Sequence, residues 1–398
     1  MKSMNKSREE LVIKMIFSII LFMVTYMIIE SYFEVTASDF PYHANIAAGF
    51  HFSNLKNEIM SGNTYFMWSA LVGLLHRRGW VTLHGASAVV TASANVVTLH
   101  FVMDYIKRKV PEVDYATWIY FGVGAFFVGP LFFPWINKYC YVGAWSPNPW
   151  HNPTNNMVRP FAMLSVILIL DIIEEEKADW KKHVLLSISL TLSMLAKPSF
   201  LQGIAPAMAL YVIIETICMR KLRLRKYLLL ASTFIPAVGI MLFQLWLTFY
   251  SGNTLSEGIE ISYLEIVTHY VDAPYVALLA CIAFPLFVLI TAIFVQKKEV
   301  LKNPRVLLMF SYLFASWCEM AFLFEKGRRG NHGNFAWAYM LALFVAFVLS
   351  GIEFIDITNS DFKYKEIVKN VGIVLFTLHL LLGIWYICMM PQHNFQLF

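Results

Sequence analysis

Apolar runs long enough to cross a lipid bilayer recur along this chain, and nothing else in it restricts the possible folds so much. A run of roughly 20 such residues, wound as a helix, spans the hydrocarbon layer with its backbone polar groups paired internally. Candidate runs begin near Leu11, Trp80, Tyr115, Asn156, His183, Leu201, Tyr227, Ala273, Pro304, Phe335 and Glu366, about eleven in all. Composition agrees: of 398 residues, 58% are hydrophobic and 14% charged, against roughly 25% charged in a soluble domain. The expected fold class is all-α, a polytopic integral membrane protein whose residues 1–398 form a single transmembrane domain. No internal repeat or low-complexity tract divides it.

Charge orients the spans. The basic clusters are Lys107-Arg108-Lys109, Lys177 to Lys182, Arg220 to Lys226, Lys297 to Arg305, and Lys363 with Lys365. With a cytoplasmic N-terminus all of them fall inside, as the positive-inside rule requires. Tyr65–Leu75 is apolar but half the length of a span, so it reads as interfacial or re-entrant; a full crossing there would put the later basic loops outside. The net charge of +5 lies at span ends rather than in one groove, which argues against nucleic acid as a partner. Five scattered cysteines lack metal-ligand spacing and read as small core residues. The basic segment Met1–Lys14 precedes an apolar run with no small-residue cleavage site, so that run is expected to be a retained first span. Compact loops and the lack of a C-terminal retrieval signal point to a bacterial plasma membrane.

The outer segments are then 31–79, 135–155, 197–200, 251–272, 325–334 and the tail from Pro391. Phe40–Met60, with Ile46, Phe50, Phe52, Leu55 and Ile59 at loosely helical spacing, predicts an amphipathic helix along the outer interface. Pro130, Pro134, Pro198, Pro206, Pro236 and Pro285 are expected to kink or end helices.

The outer segments carry the polar motifs. Asp39, in Ser-Asp-Phe-Pro-Tyr-His, fits either a helix N-cap or a catalytic base with His43 one turn away on its face. Tyr141–Arg159 is rich in Trp, Asn and Pro. It reads as a rigid loop or as a sugar-binding surface in which Trp150, His151, Asn152 and Asn155 meet rings and hydroxyls. Arg159 enters the next span, where a cation is costly without an anionic partner. Lys197 either snorkels to lipid headgroups or holds a phosphate. Glu325–Asn334 brings Arg328, Arg329 and His332 among three glycines and ends on Asn334, a further candidate for sugar or acceptor hydroxyls. Such a loop suits anionic headgroups or, with backbone N–H groups exposed by glycine, a phosphate or pyrophosphate. Walker A, dinucleotide, zinc-protease and serine-hydrolase motifs are absent, so no cofactor is implied.

The order of these parts resembles the GT-C superfamily of multispanning glycosyltransferases, which use polyprenyl-phosphate-linked sugars. A first helix running outward leads into a long outer loop that opens on an acidic residue, here Ser38-Asp39-Phe40-Pro41-Tyr42-His43-Ala44-Asn45-Ile46-Ala47. The specific likeness covers the early part of the chain, and the rest matches in architecture. The resemblance implies Asp39 as the catalytic carboxylate and basic residues of later outer loops as ligands of the lipid phosphate. Many relatives have two adjacent acids where Asp39 stands alone, which leaves a divalent metal without support.

The function expected is sugar transfer from a polyprenyl-phosphate donor to a glycan or lipid acceptor at the non-cytoplasmic face. Asp39 would be the base, and Arg159, Lys197, Arg328, Arg329 and His332 would hold the phosphate. Two alternatives remain. One is an oligosaccharide-repeat polymerase or ligase using polyprenyl-pyrophosphate glycans. The other is a transporter or flippase for a lipid-linked anion, which should carry ionisable groups at mid-membrane, where Glu319 is the modest exception.

Overall fold

The computed structural model describes residues 2–35, 38–133, 135–136, 145–249 and 258–393. Cys140, Pro134, residues 141–144 of the Trp- and Asn-rich loop, residues 251–257 and the tail from 394 lie outside the described residues, as do the side chains of Arg328, Arg329 and Asn331.

The chain is helical almost throughout. Helix α1 is Lys2–Tyr32, and the first loop holds α2 (Phe40–Gly49), α3 (Leu55–Met60) and α4 (Met67–Arg77). Then come α5 (Leu83–Lys109), α6 (Tyr115–Gly124), α7 (Pro153–Glu174), α8 (Trp180–Ala196) and α9 (Ser199–Met219). They are followed by α10 (Leu224–Ser232), α11 (Ile235–Phe249), α12 (Glu265–Tyr270), α13 (Pro274–Cys281) and α14 (Ala283–Gln296). The last helices are α15 (Pro304–Phe322), α16 (Ala336–Asn359) and α17 (Lys365–His393). Among the described residues seven helices are long and apolar enough to cross a membrane, or nine if each bent pair, α10 with α11 and α13 with α14, forms one span.

The two remaining expected spans fall short for visible reasons. Helix α8 has 17 residues. Helix α6 stops after 10, and the chain continues as irregular backbone between α13 and α17. That backbone finds partners inside the protein. The Gly129 N–H donates to His379 O at 2.8 Å and Leu131 N–H to Ala280 O at 3.1 Å. Asn148 Nδ2 donates to Ala125 O and Val128 O, both at 2.9 Å. Only glycine fits where this segment meets α17: a Cβ on Gly129 would stand 2.7 Å from Gly383 Cα.

Prolines set the bends. Pro236 and Pro285 lie in the first turns of α11 and α14, where the missing N–H and the ring break the ladder to the preceding helix. The pairs bend by 49° and 67°. Helix α16 is the hub, 94% buried along its apolar window, while α1 is only 22% buried and α17 33%. Small residues on α5 (Ala86, Ala88, Ala92, Ala94) are buried and let α1 and α7 approach closely.

The first loop departs from expectation. Instead of one amphipathic helix over Phe40–Met60, α2 ends at Gly49, because Phe50 and His51 are extended (ψ 127° and 126°). The face that packs is Phe40, Ala44 and Ala47, while Ile46 is half-buried and Phe52 is exposed. Tertiary contact decided this: α4 carries Gly73 against the Ala47 carbonyl, and Arg77 Nη1 donates to Phe50 O. Helix α4, at 11 residues, is too short to cross, in line with the half-span reading. A two-stranded antiparallel ladder, β1 (Ile259–Ile261) on β2 (Leu323–Glu325), was not anticipated.

Ion pairs gather at the end of the bundle that holds the basic turns. Lys107 meets Glu10 at 3.2 Å and Arg108 meets Asp171 at 2.7 Å, joining α1, α5 and α7. Arg305 meets Glu353 at 3.2 Å, joining α15 and α16. Following the helices from there, Asp39, Asn152, Lys197 and Trp337 all arrive at the opposite end.

Candidate functional site

Asp39 occupies the N-cap position of α2 but does not cap it. Its backbone is already helical (φ −78°, ψ −11°) and its side chain makes no cap bond; Ser38 Oγ accepts the Phe40 N–H instead, at 3.3 Å. The carboxylate turns toward α7, where Oδ2 accepts from Asn152 Nδ2 at 2.6 Å. The Asp39 N–H donates to His151 O at 3.2 Å. Among the described residues Oδ1 takes no hydrogen bond. One oxygen is therefore clamped and the other is open.

Asn152 is the junction. It caps α7 ahead of Pro153, and its Oδ1 collects Asn155 N–H at 2.8 Å, Thr154 Oγ1 at 2.9 Å and Lys197 Nζ at 3.0 Å. Three donors fix which end of the amide is oxygen, so the NH2 has to face Asp39. One side chain thus bridges an anion and a cation while starting a helix.

Lys197 ends α8 in extended conformation (φ −169°, ψ 132°). It does not snorkel: the residue is 8% exposed. Its ammonium lies 3.8 Å from the centroid of the Trp337 ring, a desolvated cation–π contact. Burial pushes this ammonium down to about 7, with the Asp39 carboxylate acting against the shift.

Two histidines complete the cluster. His151 is 3% exposed, its ring 5.9 Å from that of Trp337. Burial holds its imidazole down to about 4, against the pull of Asp39 and with the help of Lys197. Half-buried His43 lies one turn after Asp39, its N–H on Asp39 O at 3.0 Å. Burial lowers its imidazole too, opposed by Asp39 and reinforced by Lys197. Its ring packs edge-on to Trp68, 6.2 Å away, and Trp68 is anchored on Thr91 Oγ1 at 3.1 Å. At neutral pH both rings are uncharged and able to donate and accept.

Asp39, His43, His151, Asn152 and Lys197 thus come together, and Asn155 adjoins them. Its amide is fully buried, and neither Oδ1 nor Nδ2 has a partner among the described residues. Other candidates stand apart. Trp150 is fully buried, its ring stacked on Phe127 at 5.8 Å, so it offers no free face. Arg159 lies two turns further along α7, about 10 Å from the cap by helix rise. It is completely buried, with Nη1 3.5 Å from Asn95 Oδ1, Nη2 3.3 Å from Pro147 O, and its guanidinium 4.9 Å from the Phe344 ring centroid. Among the described residues no carboxylate reaches it.

The Glu325–Asn334 loop is a 3₁₀ turn over Gly327–His332, with Gly327 and Gly333 at positive φ (82° and 60°). Asn334 Nδ2 donates to Glu325 Oε2, and His332 is exposed. Trp337, just past this loop, was missed by sequence reasoning. Tryptophan is common at span ends, so only its contact with Lys197 marks it. Among the described residues no group of three or more His, Cys, Asp or Glu side chains could hold a metal ion.

No family model, curated protein or solved structure matches the chain.

Proposed function

We propose that the chain is a membrane glycosyltransferase that moves a sugar from a polyprenyl-phosphate donor to a hydroxyl acceptor, a glycan or a lipid. The observation that carries this reading is the Asp39–Asn152–Lys197 array: Asp39 Oδ2 held at 2.6 Å and Lys197 Nζ at 3.0 Å by the two ends of one amide. A base needs one oriented, open lone pair, and Asp39 Oδ1 supplies it. A departing phosphate needs a cation in a dry place, and Lys197 supplies that.

In the reaction Asp39 Oδ1 takes the proton of the acceptor hydroxyl as its oxygen bonds to the anomeric carbon. The bond from that carbon to the phosphate oxygen breaks, and the phosphate leaves with the electron pair. Attack opposite the leaving group inverts the anomeric centre. Approach of the phosphate keeps Lys197 protonated, with Arg328 and Arg329 of the neighbouring loop as further cations. Neutral His151, Asn155 and the Trp337 ring are the groups suited to sugar hydroxyls and a pyranose face. The eleven-span topology, with this end outside a bacterial plasma membrane, belongs to the same proposal: α6 with its irregular extension and α8 would supply the two short crossings.

The test is reconstitution of the full chain in proteoliposomes with a polyprenyl-phosphate sugar, followed by mass spectrometry. The proposal expects free polyprenyl phosphate and a glycosylated acceptor. A donor carried across the bilayer with its sugar still attached would replace transfer by transport.

A further inference from the structure

At the opposite end of the bundle, a groove between α9 and α10 has the form of a ligand site unconnected with the Asp39 cluster. Its volume is about 480 Å³, within the roughly 300–1,000 Å³ of small-molecule sites. Its wall is apolar and includes Ala205, Met208, Val212, Leu222, Leu224 and Phe234. From Ala205 to Ile213 it follows α9 for about 12 Å by helix rise. Both walls are fastened. Glu215 on α9 is buried and accepts from Tyr227 Oη on α10 and from Tyr211 Oη at 3.4 Å, with Arg223 Nη1 4.0 Å away. Lys226 Nζ donates to Ile173 O and, at 2.7 Å, to Glu175 O.

These ties use Arg223 and Lys226 and leave the rest of the basic turn uncommitted. Arg220, turned by a left-handed backbone (φ 51°), Lys221 and Arg225 are exposed, and among the described residues none meets a carboxylate. In sequence they alternate with Leu222 and Leu224, which line the groove. Three exposed cations without a carboxylate partner among the described residues therefore share one turn with two leucines of the apolar slot. Any lipid tail can fill an apolar gap; cations on the adjoining turn would select the headgroup.

We infer that this groove binds one anionic phospholipid, an acyl chain lying between α9 and α10 and the phosphate headgroup held by Arg220, Lys221 and Arg225. The site takes its lipid from the leaflet at the basic end and stands whether or not the chain transfers sugars.

The experiment is native mass spectrometry of the full-length protein titrated with phosphatidylglycerol or, separately, phosphatidylcholine. Wild type should hold one phosphatidylglycerol with an affinity on the order of a hundredfold above phosphatidylcholine, the advantage three interfacial cations confer. Arg220→Gln with Lys221→Gln and Arg225→Gln should erase that preference. Ala209→Trp, which fills the groove, should lose the tight site for phosphatidylglycerol. Equal affinity of wild type for the two lipids would overturn the inference without needing any variant. So would a preference that persists in the triple variant, or a tight site retained by Ala209→Trp.

Discussion

The carboxylate of Asp39 and the ammonium of Lys197 are joined through a single amide, Asn152 donating to one at 2.6 Å and accepting from the other at 3.0 Å. A direct ion pair would neutralise both groups and occupy both. The intervening amide keeps the charges in one site yet leaves an oxygen of Asp39 open and most of the Lys197 protons unassigned.

Asn152→Asp tests that arrangement. Aspartate also caps helices well, so α7 should keep its start and the protein its fold. Two carboxylates would then face each other where one amide donor had been, raising the proton affinity of the pair. The acid limb of the pH–rate profile should move to higher pH. An unmoved limb would detach Asn152 from the base.

Lys197 gives a second pH effect with the opposite sign. Its free-state value of about 7 means that it carries a charge below neutrality and loses it above. A phosphodiester donor does not itself titrate there, so its affinity should be higher below neutrality and decline as pH rises through about 7. Trp337, 3.8 Å from Nζ, provides a fluorescence signal for the titration. Lys197→Met should bind weakly and without this dependence; an unchanged pH profile in that variant would remove Lys197 from the phosphate site.

His151 makes the fold acid-sensitive. Its folded value, about 4, lies below the ordinary 6.5, so between those limits the unfolded chain binds more protons. Stability is complete above 6.5 and is lost as pH falls toward 4, on the order of 3 kcal/mol for a shift of this size. Thermal unfolding in detergent should show the decline, and His151→Gln should make it shallower, the share of His43 remaining. An equally steep decline in the variant would place the sensitive group elsewhere.

What the sequence made legible is what short-range pattern encodes. The apolar runs foretold most of the helices long and apolar enough to cross a membrane, and Pro236 and Pro285 foretold bends that occur beside them. Asp39, Asn152 and Lys197 were each marked out as polar groups in an apolar chain, but nothing in the sequence joined them, because 113 and 45 positions separate Asn152 from its two partners. Trp337 was hidden among aromatics that any span end could carry. The path of the segment after α6 and the break at Phe50 meet Gly383 and Arg77, contacts that appear only once distant helices pack.

The contact between Gly129 and Gly383 predicts a contrast in stability. Gly129→Ala forces a methyl to 2.7 Å from the Gly383 Cα and should destabilise by about 1–3 kcal/mol. Gly239→Ala in α11, with nothing within 4 Å, should be neutral or stabilising by about 0.4–1 kcal/mol. Melting temperatures of the two variants check this; equal effects would remove the close approach of the irregular segment to α17.

Asp39→Asn is the most direct trial of the whole account, measured as single-turnover sugar transfer alongside binding of the polyprenyl-phosphate donor. Asparagine keeps the size of the side chain and can still meet the Asn152 amide, but it cannot take a proton. Donor binding should stay near the wild-type value while transfer falls at least a hundredfold, the lower end of what a positioned base contributes. Transfer at the wild-type rate in this variant would contradict the assignment of Asp39 as base and the mechanism built on it.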